Sequence, residues 1–326
     1  MQRQAAPSVA QRCLRTAMAV VPRPIRAPAV PRLPPPRSAA ASADTGAGAA
    51  AFVSNVLATA LPPAAPPALL APAALYDQVV QAGARKAQLP LAKAFAMALL
   101  AGAYICFGGL LSYTLLNSMP GLLASSPGLA KLLAAAVFPF GLALIIICGG
   151  ELFTSNTAFL AVAVYEGKAK WSDVLVRWAV VYAGNLVGCL AMVAAVGATG
   201  LMAANTVLPA MAVAKTSLPL AQVLARSVLC NWLVCLAVWT ATASGSLPGK
   251  LMGIWLPITA FVTVGLEHSV ANMFIIPMGM MLGAPVSPLT FLTANLLPVT
   301  LGNLVAGALC VGGMYSVCFG KLGQGL

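Results

Sequence analysis

Two apolar runs, residues 132–164 and 251–282, constrain this chain more than anything else in it. Each is too long for one membrane crossing, which takes about 20 residues. Each is also interrupted by a charged residue where a bilayer would offer no water. The first interruption reads Cys148-Gly-Gly-Glu-Leu-Phe-Thr-Ser-Asn156 and the second Val264-Gly-Leu-Glu-His-Ser-Val-Ala-Asn272. Aligned, Gly149, Glu151 and Asn156 fall on Gly265, Glu267 and Asn272, each 116 residues later. Gly184-Asn185 recurs as Gly302-Asn303, 118 residues later. Two matches at nearly one spacing mark an internal duplication. Gly-interrupted segments at corresponding places in two halves indicate broken helices flanking a midplane site. Unwound backbone at that depth survives only where protein covers it or where it lines a cavity.

Four further apolar runs, at about 94–116, 174–196, 218–243 and 289–317, bring the crossings to six. Three crossings per half turn the second half upside down. The expected fold is therefore an all-α integral membrane protein, an inverted 3+3 repeat with broken second and fifth helices. Composition agrees: 60% of residues are hydrophobic and 7% charged, against about a quarter charged in soluble domains. The net charge of +12 does not indicate nucleic acid, because the basic residues lie mostly in an N-terminal arm and in short loops. The eight cysteines fall mostly within apolar segments, without metal-ligand spacing, and a single histidine exists to join them. They read as small hydrophobes, and no metal or other cofactor is expected.

Residues 1–43 hold Arg3, Arg12, Arg15, Arg23, Arg26, Arg32 and Arg37 and no acid. This is the composition of an organelle transit peptide, and its Pro-rich and Ser/Ala-rich character favours the plastid over the mitochondrion. An Ala/Pro linker follows at 44–74, then a membrane domain at 75–321. At its start, 74–90 reads as a short amphipathic helix lying on the membrane surface. Arg85, Lys86, Lys93, Lys168, Lys170, Arg177, Lys250 and Lys321 fall on one side with both termini; Lys131, Lys215 and Arg226 fall on the other. The positive-inside rule then places the termini in the stroma, with the protein in the inner chloroplast envelope. The mitochondrial inner membrane and the plasma membrane are the alternatives.

His268 is the chain's one histidine and directly follows Glu267. Ionisable groups inside spans are costly and mark function by default. Around them, Gly-Gly-Glu-Leu-Phe-Thr-Ser-Asn (149–156), Gly-Leu-Glu-His-Ser-Val-Ala-Asn-Met-Phe-Ile-Ile-Pro-Met-Gly (265–279) and Asn-Leu-Leu-Pro-Val-Thr-Leu-Gly-Asn (295–303) resemble the formate/nitrite transporter family. With the N-terminal arm, the chain is most similar to the algal plastid branch associated with nitrite and bicarbonate. The resemblance covers about 75–317. It implies an aquaporin-like six-helix protomer, a homopentamer in membrane lipid, and one pore through each protomer. By the same resemblance His268 is the central pore histidine, hydrogen-bonded by Thr154. Phe138, Phe153 and Phe261 take the apolar constrictions, with Leu142 and Leu152 lining them. Lys215 and Asn303 form a polar pair at the non-cytoplasmic mouth. Glu267 and Asn272 belong to the same loop, with Glu267 supporting it rather than facing the lumen.

Physical chemistry is consistent with a pore for small weak-acid anions: nitrite first, formate or bicarbonate otherwise. A bare anion in a dry constriction costs tens of kcal/mol in the Born limit. Protonating a carboxyl-like acid near neutral pH costs about 4 kcal/mol. A histidine between two apolar gates, with an ordinary pKa of about 6.5, suits proton donation or polarisation of the anion. No enzymatic role is expected. A proton-coupled carrier would want more acids within its spans. A neutral-solute channel of the aquaporin kind would carry paired Asn-Pro-Ala motifs, and the sequence has none. An intramembrane metalloenzyme would need at least three clustered ligands.

Overall fold

The structure, a computed structural model, describes residues 69–324. The transit-peptide reading of 1–43, and the linker up to residue 68, lie outside the described residues. The remainder is helical. Spanning lengths belong to α2 (Leu91–Asn117), α4 (Pro127–Cys148), α6 (Trp171–Thr199), α8 (Leu220–Ala243), α9 (Leu247–Val264) and α11 (Pro288–Phe319). Shorter helices are α1 (Pro72–Ala87), α3 (Pro120–Ser125), α5 (Phe153–Tyr165), α7 (Val207–Thr216) and α10 (Ser269–Met281). Proline stands in the first turn of α1, α3, α4, α9 and α11, where its missing N–H costs no helical bond.

The two expected breaks are present. Helix α4 ends at Gly149 (φ +85°) and α5 starts at Phe153; α9 ends at Gly265 (φ +83°) and α10 starts at Ser269. A Cβ at either glycine would meet nothing within 4 Å. The left-handed backbone, and not lack of room, is what requires glycine there. Elsewhere room is what decides. A Cβ on Gly188 of α6 would sit 2.1 Å from the Leu99 carbonyl of α2, and one on Gly102 2.3 Å from the Asn185 carbonyl. Helices α2 and α6 therefore cross at backbone contact, the small-residue packing that replaces hydrophobic drive in lipid.

Two short helices depart from expectation. The apolar face of α1 does not lie on a membrane surface. Leu75, Tyr76, Val79 and Val80 are buried in a cluster with Phe159, Val162 and Trp239 of α5 and α8. Gly83 brings α1 so close that a Cβ would stand 2.0 Å from the Phe159 carbonyl. The end of the presumed linker is also held, since Leu70 N–H donates to the Ala243 carbonyl at 3.0 Å. Helix α7 fills the stretch between the third and fourth apolar runs, to which the sequence reading assigns no element. It packs on α10, where a Cβ on Gly279 would stand 2.6 Å from the Leu208 carbonyl. So α1 seats on the first half-helix as α7 seats on the second, and each repeat carries a short helix before its three spans. On the outer side of α5, Glu166 Oε1 accepts from the Tyr76 hydroxyl (2.6 Å), the Ser316 hydroxyl (2.8 Å) and Lys321 N–H (3.0 Å). These bonds tie α1, α5 and the end of α11 together.

Candidate functional site

Each break leaves backbone polar groups deep in the protein, and each is closed by the same set of side chains. In the first, Asn185 of α6 donates to the Ala98 and Glu151 carbonyls (2.8 and 2.9 Å) and accepts from Phe153 N–H at 2.9 Å. In the second, Asn303 of α11 donates to the Ser227 and Glu267 carbonyls (2.8 and 3.1 Å) and accepts from Ser269 N–H at 2.9 Å. Asn156 donates to Glu151 Oε2 at 2.6 Å, and Asn272 to Glu267 Oε2 at 2.7 Å. A lysine from the short helix completes each set: Lys86 of α1 on Glu151 Oε1 at 2.6 Å, Lys215 of α7 on Glu267 Oε1 at 2.9 Å. A buried carboxylate is tolerated when paired and fully hydrogen-bonded. These two are, so both glutamates brace their loops.

That arrangement corrects several expectations. Lys215 lines the vestibule described below, but not as a free charge: it ends α7, is 7% exposed, and is already paired with Glu267. Lys86, read as a surface charge, is its counterpart in the other half. Asn303 does not stand beside Lys215 in the lumen; it clamps the second loop, and Asn295 is the residue that reaches α7, donating to the Lys215 carbonyl at 3.0 Å. Arg226 lies in α8, within the run 218–243, and its carbonyl receives Glu267 N–H at 3.5 Å. Phe153 packs edge-on against Tyr182, ring centroids 4.9 Å apart, and lines neither cavity described next.

His268 is the N-cap of α10. Its Nδ1 accepts Ala271 N–H at 3.0 Å, satisfying one of the donors a helix start leaves open. With Nδ1 so engaged, the neutral ring carries its proton on Nε2, and Nε2 stands 2.9 Å from Thr154 Oγ1. Thr154 thus accepts from the ring and keeps its own hydroxyl proton free to donate. The pair is buried, His268 at 2% exposure and Thr154 at 0%.

Two cavities meet at His268. A vestibule of about 40 Å³ is lined by Tyr113, Lys215, Gly265, Asn272 and His268 among others. A chamber of about 10 Å³ is lined by Ile105, Leu142, Leu152, Val234, Ile258 and His268. Phe138 and Phe261 belong to the walls of both and meet edge to face with centroids 6.0 Å apart. They form the partition, and His268 lies against Phe261 at 5.7 Å. The chamber has room for about one water. The structure thus brings together His268, Thr154, Phe138, Phe261, Leu142 and Leu152. Tyr113 and Asn231 escaped sequence reasoning, and Asn295 entered it only as the first residue of the third motif, with no sign of its bond to α7.

The formate/nitrite transporter family profile matches residues 73–317. A probable formate transporter of Methanothermobacter thermautotrophicus is 44% identical over 250 residues, covering 71% of this chain and 90% of that protein. A formate channel of Escherichia coli (strain K12) is 36% identical over 275 residues, covering 77% and 95%. Among solved structures, an FNT family ion channel superposes with a TM-score of 0.70 at 31% identity, covering 75% of this chain and 98% of that one. A pentameric formate channel with formate bound gives 0.61 at 34% identity, covering 71% and 98%.

Proposed function

The chain belongs to the formate/nitrite transporter family, and from that premise we propose that it is a membrane channel for small monovalent weak-acid anions, formate foremost. The relatives named as formate channels or transporters move the emphasis from nitrite, which stays with bicarbonate among the anions to be compared. The observation that carries the reading is His268 on the shared wall of the vestibule and an apolar chamber, with Thr154 Oγ1 2.9 Å from its Nε2. An anion in the vestibule faces a phenylalanine partition that offers no hydrogen bond. At the partition it meets His268, which lines both cavities, with the Thr154 hydroxyl bonded to Nε2 behind it. Donation to the anion, in part or in full, lowers its charge where solvation is lost. Leaving the chamber then requires the leucine side, Leu142 and Leu152, to yield. The chamber, at about 10 Å³, must widen to pass such an anion.

Five copies, as in the pentameric relative, would each carry a pore. The N-terminal arm supports the inner plastid envelope as its membrane, whereas bacterial relatives favour the plasma membrane; a fluorescent fusion distinguishes the two. The deciding experiment is uptake of formate, nitrite and bicarbonate into proteoliposomes across pH 5–8. Saturable flux above protein-free liposomes, strongest for formate, is expected. No flux from an intact oligomer refutes the reading.

A further inference from the structure

Asn231, near the middle of α8, is fully buried and lies outside both cavity linings. Its Nδ2 points at three acceptors: the Asn303 carbonyl at 2.7 Å, Thr157 Oγ1 at 3.0 Å and the Thr154 carbonyl at 3.1 Å. Two protons serve them. One goes to Asn303. The other is shared by Thr157 and Thr154, whose own contact is the Thr157 hydroxyl donating to the Thr154 carbonyl at 2.6 Å. The orientation is fixed, because neither carbonyl can donate. Its Oδ1, by contrast, is buried with no partner. An unpaired buried acceptor is unfavourable. Leucine, of nearly the same shape, would fill this place without one, so packing does not account for asparagine here; its donors do.

What those donors join is specific. Thr154 sits in the first turn of α5 and offers its side chain to His268. Asn303 grips Ser269 N–H and the Glu267 carbonyl, the residues on either side of His268. We propose that Asn231 is a positioning residue that sets the distance between Thr154 and His268 by bonding the turn that carries one to the clamp that holds the other. Without it, α8 still touches each partner separately, through the Ser227 carbonyl on Asn303 and Cys235 Sγ on the Thr154 carbonyl, but no single side chain bonds both. The inference rests on the anion-channel reading above.

The test is a double-mutant cycle in proteoliposomes, with formate as the probe and oligomer integrity checked by size exclusion. Asn231→Leu should lower the maximal uptake rate about tenfold with little change in half-saturation, since it alters the step past the pair and not entry. In a Thr154→Val background, where the bond to His268 is already gone, the same change should cost less than about twofold. Asn231→Ser keeps one donor and should fall between wild type and Asn231→Leu. If Asn231→Leu does not assemble, the cycle is run with Asn231→Ser. Wild-type rates in Asn231→Leu, or losses that simply multiply with Thr154→Val, overturn the proposal: multiplication is what a residue that only stabilises the fold would give. A wild-type protein without formate flux would instead refute the channel reading itself.

Discussion

His268 performs two jobs with two nitrogens, and substitutions can separate them. Nδ1 caps α10 through Ala271 N–H, and Nε2 reaches Thr154. An asparagine places its amide oxygen about where Nδ1 lies and is among the best N-caps, but it ends short of Thr154. A glutamine reaches toward Thr154 and leaves the cap poorly made. Phenylalanine does neither. Loss of the cap leaves a buried N–H unpaired, about 1–3 kcal/mol of stability. Loss of the donor at the partition removes a hydrogen bond to a charged guest, about 1.5–3 kcal/mol, or roughly 10- to 150-fold in rate at 1.4 kcal/mol per decade. Thermal stability should therefore rank wild type and His268→Asn above His268→Gln and His268→Phe. Formate uptake should rank wild type, then His268→Gln, then His268→Asn, with His268→Phe collapsed. Residual conduction in His268→Asn should follow pH between 5 and 8 only as the amount of protonated acid does. The assays are detergent melting curves and proteoliposome uptake across pH. Full pH-dependent flux in His268→Asn, or a stability order that tracks the flux order, would refute the two-nitrogen argument and leave His268 a structural brace.

Removing Lys215 strands the carboxylate of Glu267, which is 1% exposed, so Lys215→Met should cost about 3–5 kcal/mol. Lys86→Met should cost clearly less, because the Lys86 side chain is 23% exposed; denaturation of both variants, with equal losses as the contrary result, checks this. Burial alone would raise the Glu166 pKa, but the donors Tyr76, Lys321 and Ser316 hold it below the ordinary carboxylate range. A depressed folded pKa gives stability that is complete above the unfolded value of about 4.3 and lost as pH falls through the lower folded one. The melting deficit of Glu166→Gln should thus be full at pH 7 and shrink below pH 4; a deficit constant with pH would contradict it. Gly265→Ala forces a Cβ into the left-handed region at φ +83° and should destabilise by about 1–2 kcal/mol without any steric clash, measurable as a lower melting temperature with assembly intact.

The broken helices were legible because glycine, glutamate and asparagine repeat at one spacing inside apolar runs, and few physical situations tolerate that pattern. His268 and Thr154 were legible through the family likeness of the same motifs. What the sequence hid was partnership. Lys86 and Lys215 look like loop and surface charges because their partners lie 65 and 52 residues away, a relation that no local pattern records. Helix α1 looked like a membrane-surface helix because amphipathicity states that one face is buried, and not whether lipid or protein buries it. Asn231 stayed silent because a single amide in a span has no period. Phe153 was expected at a constriction, whereas its ring packs on Tyr182, a contact between separate helices that no local pattern records.

The 116-residue correspondence also sets His268 opposite Leu152 and Thr154 opposite Val270. A strict twofold copy would have put the same side chain at both members of each pair, and then either two imidazoles or none would face the constriction. The chain instead spends its divergence at these positions while keeping the lysines, glutamates and asparagines of both clamps alike. The result is two half-helix loops framed to one plan, with the His268–Thr154 contact and its definite donor and acceptor ends as the asymmetric element between them. Under the channel reading proposed above, such a scaffold supplies no ratchet, and net movement would follow the gradient of the acid and its anion.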